Sequence, residues 1–183
     1  MTVRQIVYSD NPLIRKKSHR VRQVDAGVQR LIDDMVETMR EADGIGLAAI
    51  QVGVPYRLVV VEMPPEVAEG EELPPRPWKL YVVVNPELAR KSREMEEGVE
   101  GCLSVPGWAG EVVRHKSVTV KGLDRRGRKV RIKAEGLLAR VFQHEIDHCD
   151  GILFTDHIED PEKIWPVEEG TEEAAEARQG VRA

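Results

Sequence analysis

Aromatic residues are scarce in this chain, at 4% of 183 positions, so its core must be filled by Val, Leu and Ile. There are two cysteines, Cys102 and Cys149, too few for the disulfide framework of a small secreted domain. No apolar run approaches the roughly 20 residues of a membrane span. The opening MTVRQIVYSD lacks the apolar stretch of a signal peptide. Nor is there an excess of positive charge: 27 Lys and Arg stand against 32 Asp and Glu, a net of -5. That balance is the reverse of a nucleic-acid-binding surface. These absences predict a protein of the reducing cytoplasm with no membrane or nucleic-acid partner. Each cysteine is then open to thiol chemistry, metal binding or plain packing.

What is present fits one globular domain: 41% hydrophobic and 32% charged residues. In residues 25–43, DAGVQRLIDDMVETMREAD, apolar side chains recur at helical spacing, with Asp25 placed to cap the start and Gly44 to stop the end. RLVVV (57–61) and LYVVVNP (80–86) read as short strands. Between them, residues 62–79 hold five of the eleven prolines and a cluster of glutamates, and read as a long loop. Residues 116–136 alternate as two strands about a DRRG turn, a hairpin. LLARVFQHEIDHCDG follows as a helix over 137–149. The domain is expected to span residues 1–166, with 167–183 an acidic tail.

The last helix carries HEIDH. One residue of α-helix turns the chain by about 100°, so positions four apart lie about 40° from each other on one face. His144 and His148 can therefore aim at one ion, with Glu145 beside them as a base for a bound water. Two buried, hydrogen-bonded histidines would give the same pattern. A catalytic site needs a third protein ligand and an open position. Candidates are Cys149, Cys102, His115, His157, His19 and several carboxylates. Cys149 immediately follows His148, so its side chain swings about 100° away, and it is better suited to filling the core. Cys102 lies in EGVEGCLSVPGWAG among glycines, where backbone can approach closely; a thiolate there is a strong ligand for a late divalent metal. A third unusual stretch, DGIGLAAIQVGVP (43–55), places small residues ahead of Gln51, an uncharged donor.

GIGLAAIQ (44–51), EGCLS (100–104) and QHEIDH (143–148), in this order, resemble the peptide deformylase family. The resemblance runs from about residue 3 to 160. Two residues depart from the pattern: Ile50, where the family often has Pro, and Cys149, where Leu is usual. The resemblance implies a hydrolase that removes the formyl group from N-terminal formyl-methionine of new polypeptides, releasing formate. It implies an α+β fold, with small, largely antiparallel sheets wrapped round the helix that bears the histidines. It implies Cys102, His144 and His148 as ligands of one divalent metal, typically Fe2+, with Ni2+, Co2+ or Zn2+ as substitutes. Glu145 becomes the general base, and Gln51 and the Leu103 N–H the oxyanion donors. Gly46 would border the substrate. N-formyl-methionyl peptides are the implied partners, with room for transient ribosome contact, and a monomer is expected. Arg114 pairing with Glu100 would hold the Cys102 segment. Two rival readings remain: a zinc endopeptidase or aminopeptidase taking His157 or Glu159 as third ligand, and a non-catalytic metal-binding module.

Overall fold

The computed structural model describes residues 2–65 and 73–168. Helix α1 spans Ala26–Glu41, and the Asp25 side chain accepts a hydrogen bond from the Val28 N–H at its start. The strands are β1 (Gly46–Ala48), β2 (Leu58–Met63), β3 (Lys79–Lys91), β4 (Met95–Cys102), β5 (Val105–His115), β6 (Ser117–Leu123), β7 (Lys129–Glu135) and β8 (Ile164–Pro166). Helix α2 spans Gly136–Cys149. Every strand pairing is antiparallel. One five-stranded sheet runs β1-β2-β3-β6-β7, and a three-stranded sheet runs β4-β5-β8. Among the described residues, no helix is long and apolar enough to cross a membrane.

The larger sheet is covered on both faces, which explains the unbroken apolar run in β2. Leu58 and Val60 pack with α1 residues Leu31, Ile32, Met35 and Met39. Val59 and Val61 pack with α2 residues Ala139, Phe142, Ile146 and Cys149. Helix α2 is therefore a central element, with the larger sheet on one side and β4–β5 on another.

Four features were not read from the sequence. Strand β3 continues past Asn85-Pro86 through two irregularities in register to Lys91. Pro86 looks like a terminator, but its carbonyl accepts from Arg57 Nε, and the Asn85 amide exchanges two hydrogen bonds with the Val21 backbone. The β4–β5 hairpin was hidden by its glycines. Strand glycines mark close approach: a Cβ on Gly110 would lie 2.5 Å from Ile158 Cδ1, and one on Gly98 would lie 2.8 Å from Arg140 Nη2. Strands β1 and β8 have three residues each, too few to show alternation. Glu62, Met63 and Lys79, read as loop, belong to β2 and β3. Of that loop, residues 66–72 fall outside the described residues, as does the tail from 169. Val167, at the tail's start, is buried against Ala109.

The packing at Gly98 is testable. Arg140 Nη1 is held by Glu100 and the Val112 carbonyl, and Nη2 by the Glu96 carbonyl, so the guanidinium cannot move aside freely. Gly98→Ala should destabilise the fold by about 1–3 kcal/mol through overpacking, read as a lower urea midpoint. An unchanged midpoint would show that the Arg140 seat is loose.

Candidate metal centre and cleft

Helix α2 presents His144, Glu145 and His148 inward, all buried. Cys102 ends β4 and is brought against them. Among the described residues, Cys102, His144 and His148 form a group whose ligand atoms lie within 4.8 Å of one another. Cys102 Sγ is 3.2 Å from His148 Nε2, and the two His Nε2 atoms are 3.2 Å apart. The Ser104 N–H and Gln51 Nε2 approach Sγ at 3.4 and 3.7 Å. A sulfur and two imidazole nitrogens converging on one point, away from water, match the donor set of a late divalent metal. Cys149 is outside this group. It sits in the core, where burial pushes its thiol up to about 12.

Around the ligands lies a buried ionic cluster. Glu100, two residues before Cys102 on the same face of β4, accepts from Arg114 Nε and Nη2 at 2.9 and 3.0 Å and from Arg140 Nη1 at 3.0 Å. His144 Nδ1 lies 2.9 Å from Glu100 Oε2, which leaves Nε2 to face Cys102 and His148. Burial alone would raise the Glu100 carboxyl, but Arg114 and His144 hold it far below its ordinary range. Burial opposes a charge on His144, yet its hydrogen bonds to Cys102 and Glu100 raise it well above the ordinary value. Burial and the neighbouring His144 push His148 well down, toward the neutral ring that ligation needs. Arg114 also reaches Asp147, and is raised despite burial by Glu100 and Asp147.

Glu145 has the opposite surroundings. Its Oε2 is buried with no hydrogen-bond partner among the described residues. Burial pushes the carboxyl up to about 7. A Cβ on Gly46 would lie 2.3 Å from Glu145 Oε1, so only glycine leaves room for this carboxylate. Gln51 is held by the Ala48 N–H, which donates to Oε1 at 2.8 Å, and its Nε2 donates to Ser104 Oγ at 3.1 Å. A cleft lined by Gly44–Gly46, Gln51, Val99–Leu103, Leu137, Arg140, Val141, His144 and Glu145 opens here. Leu103 closes one side: a Cβ on Gly44 would be 2.9 Å from Leu103 Cδ1. Strands β1 and β4, each at one end of its sheet, flank this cleft.

His157 is engaged elsewhere, 2.8 Å from Asp147 and 3.2 Å from Arg114, and Glu159 is exposed. Neither joins the ligand group, so the peptidase reading loses its third ligand. Arg140, missed in the sequence, stands one turn before His144 on α2; that i, i+4 spacing was the available signal.

An HExxH helix whose histidines meet a cysteine sulfur, beside a buried carboxylate oxygen with no hydrogen-bond partner among the described residues and enclosed by antiparallel sheets, fits a metal-dependent hydrolase. The comparisons specify which. The family model for polypeptide deformylase matches residues 3–164. A peptide deformylase of Thermomicrobium roseum is 49% identical over 182 residues, 99% of this chain and 100% of that protein. One from Dehalococcoides mccartyi is 42% identical over 98% of this chain and 100% of its own length. The crystal structure of peptide deformylase from Ehrlichia chaffeensis superposes with a TM-score of 0.79 at 40% identity, covering 87% of this chain and 89% of that one. The same protein has been crystallised with actinonin. The chain belongs to the polypeptide deformylase family. It is a hydrolase that removes the formyl group from the amino terminus of new polypeptides.

The Glu100 contact to His144 yields a prediction. Partners that orient a ligating histidine are worth about 10–100-fold in metal affinity. Glu100→Gln should lower affinity by that factor while the protein stays folded, measured by chelator competition. Unaltered affinity would show that His144 needs no carboxylate.

Proposed function

We propose that Cys102, His144 and His148 hold one divalent ion, with Glu145 as general base and Gln51 and the Leu103 N–H as oxyanion donors. The observation that carries this reading is Glu145, whose Oε2 is buried without a hydrogen-bond partner among the described residues, beside the Cys102, His144 and His148 group, and whose Oε1 is pressed against Gly46. Ferrous iron is the proposed ion in the cell, with Ni2+, Co2+ or Zn2+ able to replace it, because thiolate and imidazole suit several late metals. When bound, such an ion acidifies water and polarises a carbonyl oxygen.

The chain's own residues supply the rest. Glu145 takes a proton from the attacking water as its oxygen adds to the formyl carbon. It then gives that proton to the departing amine as the C–N bond breaks, leaving formate and a free amino terminus. A carboxyl near 7 can work in both directions close to neutrality. Gln51, held through Oε1, keeps Nε2 on the side of Cys102, where it can meet the oxygen on which charge develops. The close approach of Gly46 to Glu145 restricts the acyl group to a small one, and formyl is the smallest. The flanking strands β1 and β4 suit an extended peptide lying between them.

Two experiments test the assignments. Glu145→Gln should retain metal and lose on the order of 100-fold or more in formate release from a formyl-Met peptide; a metal-loaded variant with full activity would remove Glu145 as the base. Cys102→Ala should lose both metal and activity. Cys149→Leu should keep both, at a cost of about 1–3 kcal/mol from added volume in a filled core. A folded, metal-free Cys149→Leu would overturn the ligand set.

A further inference from the structure

The β1 wall of the cleft is built on Gly44, Ile45 and Gly46. Glycine on both sides of Ile45 leaves this segment conformationally free unless something holds it. One restraint comes from far along the chain. Arg76 Nη2 donates to the Gly44 carbonyl at 2.9 Å. Its Nη1 donates to Glu62 Oε2 at 3.2 Å. Glu62 is fully buried, and its N–H donates to the Ile45 carbonyl at 2.8 Å. Arg40 reaches the same carboxylate through Nε at 3.1 Å and through Nη2. The Arg76 guanidinium also lies 4.5 Å from the Trp78 ring centroid, and Trp78 Nε1 donates to the Pro74 carbonyl at 2.8 Å.

Two guanidinium groups therefore share one buried carboxylate. Arg76, which also feels the Asp43 carboxylate, turns its other nitrogen to a backbone carbonyl that belongs to the cleft wall. The C=O and N–H of one trans peptide unit point in opposite directions. Fixing the Gly44 carbonyl thus fixes the Ile45 N–H as well. Arg40 bonds Glu62 but makes no hydrogen bond to Gly44 among the described residues, so of the two arginines only Arg76 grips the wall.

We infer that Arg76 is a positioning residue for the peptide substrate: it locks the Gly44–Ile45 peptide unit and so sets the open β1 edge in place before substrate arrives. This rests on the reading that the cleft between β1 and β4 takes the peptide. A wall ordered in advance spares the ordering cost on binding, so its loss appears in substrate binding and leaves the chemical step alone.

The test is steady-state formate release from formyl-Met-Ala-Ser by the metal-loaded full-length enzyme, with metal content measured for each variant. Arg76→Met should raise KM about tenfold, the factor matched by one lost charge-assisted hydrogen bond. Its kcat should stay within about twofold of wild type and its metal content unchanged. Arg40→Met, which disturbs the same carboxylate without touching Gly44, should lower the melting temperature and leave KM as it was. A wild-type KM in Arg76→Met overturns the inference, and so does an equal rise in KM for both variants. If Arg76→Met is insoluble, Arg76→Ala carries the test, since it also removes the donor to Gly44: a raised KM supports the inference and a wild-type KM overturns it. Formate release by the wild type separates the two levels. Its absence sinks the reading of the cleft and the inference with it, whereas an active wild type with an unmoved Arg76→Met KM overturns the inference alone.

Discussion

The buried carboxylate of Glu100 ties together three elements, β4, β5 and α2, at one point. Taking an ion out of water costs several kcal/mol unless its lone pairs are filled. Glu100 fills them with Arg114 from β5 and with Arg140 and His144 from α2. The pairing works only if α2 sits at one depth and one rotation against the β4–β5 hairpin. That same setting brings Cys102, two residues further along β4, to the Nε2 face of the histidines. The ligand geometry is a consequence of satisfying Glu100. Arg114 extends the constraint outward to Asp147 and His157, so the turn after α2 is braced by the same charges.

Glycine does the complementary work. The ionic cluster pulls α2 and the hairpin together, and close approach is possible only where side chains are missing. Gly98 makes room for the Arg140 guanidinium, and Gly46 for the Glu145 carboxylate. Both lie within strands, where glycine costs stability. The cost is accepted where backbone must come within contact distance of a functional group. Strand β1 is accordingly short, and it is supported from behind by the Glu62 cluster and not by its own pairing alone.

How much of this the sequence shows follows from which interactions are local. Helix α1, helix α2 and the β6–β7 hairpin are legible because their apolar positions repeat at 3.6 or 2 residues over several turns or pairs. His144, Glu145 and His148 are legible because one helical turn fixes their relation. Cys102 and Gln51 became legible through three short segments in a known order, since nothing local distinguishes them from a buried thiol and a loop amide. The β4–β5 hairpin was obscured by its glycines, of which Gly98 and Gly110 are placed by contacts to Arg140 and Ile158 that lie far off in sequence. Arg76 and Arg140 are two among 27 Lys and Arg. Arg140 stands one turn from His144 on the helix, but nothing local marks Arg76, which only its contacts to Glu62 and Gly44 single out.

Two buried glutamates show how environment assigns chemistry to identical side chains. Glu100 and Glu145 are equally hidden from water. Glu100 is surrounded by cationic partners and stays ionised far below neutrality, so it can orient His144 but cannot exchange a proton during turnover. Glu145 has no cationic hydrogen-bond partner, and burial lifts it to about 7. Pairs of carboxyls driven apart in this way divide the tasks of a site between holding and proton transfer. Under the proposed roles, exchanging their surroundings would lose both functions: an unpaired Glu100 would release His144, and an arginine beside Glu145 would fix it as a carboxylate too weak to take up a proton. The separation is maintained by Gly46, which admits the Glu145 carboxylate to a wall built of Gly44, Ile45 and Gly46, and by β4 and β5, which set Glu100 against Arg114.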